Sequence, residues 1–270
     1  MTRDLLQMEE VKRLVRDAYR DVPASTAAVA RRLYAADELA AVPEVAVNRS
    51  LGVANHLRHA DIRPGETVLD IGCGAGIDTI LAARRTGPDG LVIALDFLPE
   101  MLERTQEAVR AAGLANVRLV EGEMEALPLA DDSVDLVISN GVVNLSARKA
   151  RVMAECARVL RPGGRLCIAD LTVEQDDLPP RIATHPTAWA GCLAGALSEA
   201  AMIHKLSRAG FRAVRVVHRE PLGVDECALY PLFSAEVLGL MRDLPPERRR
   251  RLAVAIVVTA ELPAADDRAP

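Results

Sequence analysis

The stretch Val68-Leu-Asp-Ile-Gly-Cys-Gly-Ala-Gly-Ile-Asp78 constrains this chain more than any other. An apolar run ends in Asp70, three glycines follow at 72, 74 and 76, and helical spacing then resumes. Glycine is required where backbone turns tightly and approaches a ligand closely, and the next helix N-terminus offers free N–H groups. The following apolar run, LVIALD, ends in Asp96, 20 residues past Gly76. That is the place from which a carboxylate takes both hydroxyls of a ribose. A dinucleotide fingerprint has G-x-G-x-x-G, but Ile77 stands where the third glycine belongs, and Asp70 puts negative charge where a phosphate would be repelled. An ammonium group would be welcome there. A ligand with a ribose and an amino acid and no phosphate fits best, which describes S-adenosylmethionine; a dinucleotide or a ligand-free turn are the alternatives.

The rest of the chain agrees with an α/β fold. Short β-type runs at 67–71, 91–96, 117–121, 134–140, 165–171 and 213–219 alternate with helical stretches near 76–86, 99–112 and 147–160. This rhythm predicts a doubly wound, Rossmann-like, mostly parallel sheet with helices on both faces. Residues 254–260, VAIVVTA, are a candidate seventh strand, and a helix is expected near 233–243. Residues 160–164, LRPGG, read as a turn that ends one helix and starts a strand. The division expected is an N-terminal helical cap over 1–62, a cofactor-binding domain over 63–220, and a C-terminal extension over 221–270 with a frayed tail from Pro263. Residues 5–20 carry helical apolar spacing, and 24–46 are helical in part.

Half of the 270 residues are hydrophobic, enough for one sizeable core. A net charge of −5 argues against a nucleic-acid partner. The Arg248–Arg251 cluster reads as a solvated helix face. No apolar run reaches the ~18 residues of a membrane span, and the amphipathic, acid-bearing start resembles neither a signal nor a transit peptide. The expectation is a cytoplasmic monomer or homodimer acting on a small molecule. Cys73, Cys156, Cys167, Cys192 and Cys227 are scattered, with no C-x-x-C pair, so neither a disulfide framework nor a metal site is indicated.

After the third strand, Glu121-Gly-Glu-Met-Glu-Ala-Leu-Pro128 lies where an adenine would sit. The fourth strand ends in Ser139-Asn140-Gly141, at the carboxyl end of the sheet where ligands bind in such folds. With D-x-G-x-G-x-G, Asp96 and the LRPGG turn, the chain resembles class I S-adenosylmethionine-dependent methyltransferases. Through YAADELAAVPEVAVNRSLG, the SNGVVNLS stretch and WAGCLAGAL it is most similar to the arsenite methyltransferase branch, over roughly residues 11–215. The resemblance implies a cofactor site lined by Asp70, Gly72, Cys73, Gly74, Gly76, Asp96, Phe97, Met101, Glu123, Met124 and Asn140.

Members of that branch hold As(III) with thiolates, which suit a soft metalloid. Their cysteines lie before the cofactor domain, directly after Ser-Asn of strand four, and in the Gly-Cys-x-x-Gly-Ala stretch. This chain has Val53, Gly141 and Cys192 at those places. Only one thiol remains, so the expectation is a changed acceptor: a thiol or other readily ionised group of a metabolite, with arsenite methylation and a non-catalytic cofactor-binding protein as alternatives. Gly141 is expected to make room for the acceptor, and Gly141, Asn144, Trp189 and Cys192 are the candidate acceptor contacts. Cys192 is open between relic, packing residue and contact. No general base is evident; His185 and Cys192 are the candidates to test.

Overall fold

A computed structural model describes residues 2–20, 22–23, 26–174 and 178–265, with side chains described from residue 9 onward. Seven strands form one sheet in the order β3-β2-β1-β4-β5-β7-β6. They are β1 Thr67–Ile71, β2 Leu91–Asp96, β3 Val117–Glu121, β4 Val134–Asn140, β5 Leu160–Thr172, β6 Arg212–Leu222 and β7 Ala253–Glu261. The β3-β2-β1-β4-β5 portion is parallel. The last strand runs antiparallel to both β5 and β6 and lies between them. Strands covered on both faces are largely apolar, which is why β1, β2 and β4 are mostly hydrophobic, with their polar residues at or near their ends.

The pleat sends alternate side chains into two cores. Val68, Leu136 and Ile138 join one that also takes Val15, Val29 and Ala46 from the N-terminal segment and Tyr230 and Phe233 from the C-terminal one. Leu69, Ile71, Val137 and Ile168 face the other, under the helices Lys149–Val159 and Glu199–Arg208. The expected N-terminal helix is Thr2–Arg20, and residues 26–48 contribute three short helices at Ala27–Leu33, Ala36–Ala40 and Glu44–Val47. The expected helix near 233–243 is Ala235–Arg242.

One local reading changes. LRPGG is not a turn preceding a strand but the start of β5 itself: Leu160 pairs with Val134, and the register then shifts before Arg165 pairs with Leu136. Pro162 cannot donate to the ladder and sits within this irregularity, as proline in a strand must. The tail from 266 onward lies outside the described residues. Among the described residues no helix is long and apolar enough to cross a membrane.

The register aligns the carboxyl ends that matter. Ile71 pairs with Leu95 on one side and Ser139 on the other, and Asp96 pairs with Glu121. Strand order reverses at β1 and β4, leaving a crevice above their ends. Asp70, Asp96 and Asn140 therefore meet at one edge.

Candidate active site

A cavity of about 130 Å³ occupies that crevice. Its floor is the loop between β1 and the helix Ile77–Thr86. Gly76 caps that helix with φ +88°, a conformation open to glycine, and Thr105 lies only 3.2 Å from where a Cβ would stand. Every residue that the resemblance assigned to the cofactor lines the cavity: Asp70, Gly72, Cys73, Gly74, Gly76, Asp96, Phe97, Met101, Glu123, Met124 and Asn140.

The two aspartates are charged differently by their surroundings. Asp70 accepts from Thr79 Oγ1 at 2.5 Å, yet burial, reinforced by the neighbouring Asp78 carboxylate, pushes its carboxyl up to about 8. Asp96 accepts from Gly74 N and Leu98 N, both at 3.1 Å; burial outweighs these bonds and moves it up to about 6. Two buried carboxyls that lack cationic partners among the described residues suit a ligand carrying a cation and hydroxyl donors. Both features belong to S-adenosylmethionine, so the donor set fits it.

Asn140 does more than line a wall. Its Nδ2 donates to Asp78 Oδ2 at 3.0 Å and Ala54 O at 2.9 Å, while its Oδ1 accepts from Val53 N at 2.8 Å. Tyr34 Oη donates to the other oxygen of Asp78 at 2.7 Å. The end of β4 is thereby stitched to the segment 52–54 and to the cofactor loop.

The roof comes from the N-terminal segment. Val11, Lys12, Val15 and Tyr19 of the first helix line the cavity, and Lys12 Nζ pairs with Glu123 at 2.6 Å. A second, smaller cavity adjoins the first, with Tyr19, Leu51 and Gly141 lining both. Val53 and Cys192 also line it, so the three positions at which the resemblance places arsenic-binding cysteines converge. A Cβ on Gly141 would stand 3.1 Å from Val53 Cγ1, and Cys192 Sγ donates to Gly141 O at 3.2 Å. The space expected beside Gly141 is thus largely taken by Val53.

Other candidates lie elsewhere. Asn144 lines neither cavity: its amide donates to Asp170 Oδ1 and Leu171 O, and its Oδ1 accepts from Leu197 N. It ties the segment after β4 to β5. Trp189 also lines neither; its Nε1 donates to Leu145 O at 3.3 Å and Lys149 Nζ stands 5.5 Å from its ring. His185 caps the helix Pro186–Ala190, its Nδ1 accepting from Thr187 N at 3.2 Å, with Nε2 turned toward Glu236. All five cysteines are free and buried, and Thr105 Oγ1 lies 3.5 Å from Cys73 Sγ. Among the described residues no group of three or more His, Cys, Asp or Glu side chains is placed to hold a metal ion.

Sequence reasoning missed the tyrosines. The chain has three, and Tyr19, Tyr34 and Tyr230 each line one or both cavities. No local pattern marks them, because each reaches its cavity only through the way distant segments pack.

A parallel sheet whose last strand is inserted antiparallel, a glycine loop after β1 and an acid at the end of β2 define an S-adenosylmethionine-dependent methyltransferase. Residues 62–217 match the family described as a methyltransferase domain, and the chain belongs to the class I S-adenosylmethionine-dependent methyltransferases, in their arsenite methyltransferase-like branch. An arsenite methyltransferase of Halobacterium salinarum is 44% identical over 187 residues, 69% of this chain and 47% of that protein. Another, of Aquipseudomonas alcaligenes, is 34% identical over 182 residues, 65% of this chain and 51% of that protein. The chain thus spans about half the length of these curated relatives. The crystal structure of an arsenic(III) S-adenosylmethionine methyltransferase from Chlamydomonas reinhardtii is 30% identical, with a TM-score of 0.63, over 94% of this chain and 74% of that one.

Proposed function

We propose that this methyltransferase transfers its methyl group to the sulfur of a small thiol rather than to arsenic. The observation that carries this reading is the convergence of Val53, Gly141 and Cys192 on one spot, where a three-thiolate clasp would need three cysteines. The single thiol there is held protonated by burial, its pKa raised well above the usual range. Asp96 is assigned to the ribose hydroxyls, Asp70 to the ammonium, and Glu123 and Met124 to the adenine.

When bound, S-adenosylmethionine supplies an activated methyl group: the acceptor sulfur gains it, the electron pair of the broken carbon–sulfur bond stays on the donor sulfur, and the thiol proton passes to water. The protein's own work is to align the acceptor with the methyl group. A thiol, titrating near 8.5, needs no strong base.

Methyl transfer to thiols and to arsenite, compared for wild type and Cys192→Ala, tests this. Methylated thiol from both proteins and no methylated arsenic is expected. Arsenic methylation that vanishes in Cys192→Ala would reinstate the metalloid reading favoured by the named relatives. Cofactor binding with no product from any acceptor would indicate a non-catalytic protein.

A further inference from the structure

The second cavity measures about 20 Å³, where one water-sized group occupies about 10–15 Å³. It has room for one or two such groups. Among the described residues no charged side chain lines it. Its polar side chains are Tyr19, Tyr230 and Cys192, and each directs its proton to a backbone carbonyl: Tyr19 Oη to Ala190 O at 3.2 Å, Tyr230 Oη to Gly52 O at 2.8 Å, and Cys192 Sγ to Gly141 O at 3.2 Å. Burial raises all three above their ordinary pKa values, so those protons stay in place. A hydroxyl or thiol whose hydrogen is fixed in this way offers only lone pairs to a guest. Such a pocket accepts from an S–H donor and has nothing with which to neutralise a carboxylate or an ammonium, either of which is costly to bury unpaired.

The aromatic wall comes from the C-terminal segment. Phe233 lies against Gly191 so closely that a Cβ there would overlap ring atoms Cζ and Cε1. The adjoining backbone is anchored by Ser234, whose Oγ accepts from Val237 N at 3.2 Å and starts the helix Ala235–Arg242. Phe233 lines the second cavity and not the first.

We propose that Phe233, seated on Gly191, is a specificity-determining residue that limits the methyl acceptor to an uncharged thiol of one or two carbons. This rests on the thiol reading above. It assigns a task to residues 221–262, which close the acceptor side of the site, and it excludes amino-acid and peptide thiols by charge and longer alkyl thiols by length.

The test is methyl transfer from S-adenosylmethionine to methanethiol, butanethiol and cysteine by wild type, Phe233→Leu and Phe233→Ala, with cofactor affinity measured by calorimetry on each. Wild type should prefer methanethiol. Phe233→Ala should shift the butanethiol-to-methanethiol ratio of kcat/KM upward at least tenfold, and Phe233→Leu, the gentler change should the alanine variant misfold, in the same direction. Cofactor Kd should stay within twofold, because Phe233 does not line that cavity. An unchanged ratio in a variant of intact cofactor affinity overturns the proposal, as does wild-type use of cysteine on a par with methanethiol. A wild-type protein that binds cofactor but methylates no thiol sinks the thiol reading itself, and the proposal with it.

Discussion

Asp70 is buried beside Asp78 in the lining of the larger cavity, its carboxyl raised to about 8. Between the ordinary carboxylate value near 3.8 and about 8 the folded chain therefore holds a proton that the unfolded chain has released. More protons bound in the folded state means stability falls as pH rises through that window, opposite to the usual aspartate case. A cation seated against Asp70 draws the carboxylate into its charged form, so binding expels the proton. S-adenosylmethionine affinity should rise from pH 6 to pH 8, and calorimetry near pH 7 in buffers of different ionisation enthalpy should register proton release. Asp70→Asn should flatten both profiles and raise the ligand-free melting temperature above wild type at pH 8.5. A variant whose affinity keeps the wild-type pH slope would show that another group takes the cation. Asp70 and Asp96 were legible in sequence because each ends an apolar run. Tyr19 and Phe233 were not, because their importance comes from contacts 171 and 42 positions away, with Ala190 and Gly191.

At the level of elements, the helix Thr2–Arg20 is the part whose role periodicity alone could not supply. Its apolar spacing announced a helix but not which surface it covers. The structure lays Val15 in the main core and Lys12 against Glu123 at 2.6 Å, with Arg20 reaching Glu100 at 3.4 Å. Half-exposed pairs of this kind contribute about 0.2–1 kcal/mol. Lys12→Ala should thus speed S-adenosylmethionine release by roughly 1.4- to fivefold, by the same range, in a stopped-flow displacement experiment. An unchanged release rate would mean that the ligand leaves without disturbing this roof. Strands β1 to β4 were read to the residue, whereas β5 begins five residues before the expected 165 and β6 runs on to Leu222 rather than 219. The LRPGG irregularity was misread because a bulge and a turn use the same glycines and prolines, and only the pairing partner tells them apart.

Across the whole molecule, seven strands and both cores are shared by segments far apart in sequence: Val15, Ile138 and Phe233 belong to one cluster. Composition promised a core of this size, but which distant segments meet in it depends on the strand order, and the antiparallel return of β7 was only suggested by a β-rich run. That return has a consequence for how the protein is made. Because β7 sits between β5 and β6, the growing chain carries two unpaired strand edges until residues 253–261 leave the ribosome. A chain stopped after residue 252 should lose its cooperative thermal transition and aggregate, and co-expression of residues 253–265 as a separate peptide should rescue it. β7 is then the fastener that joins β6 to the rest of the sheet, and quality control during synthesis falls on the interval before it arrives.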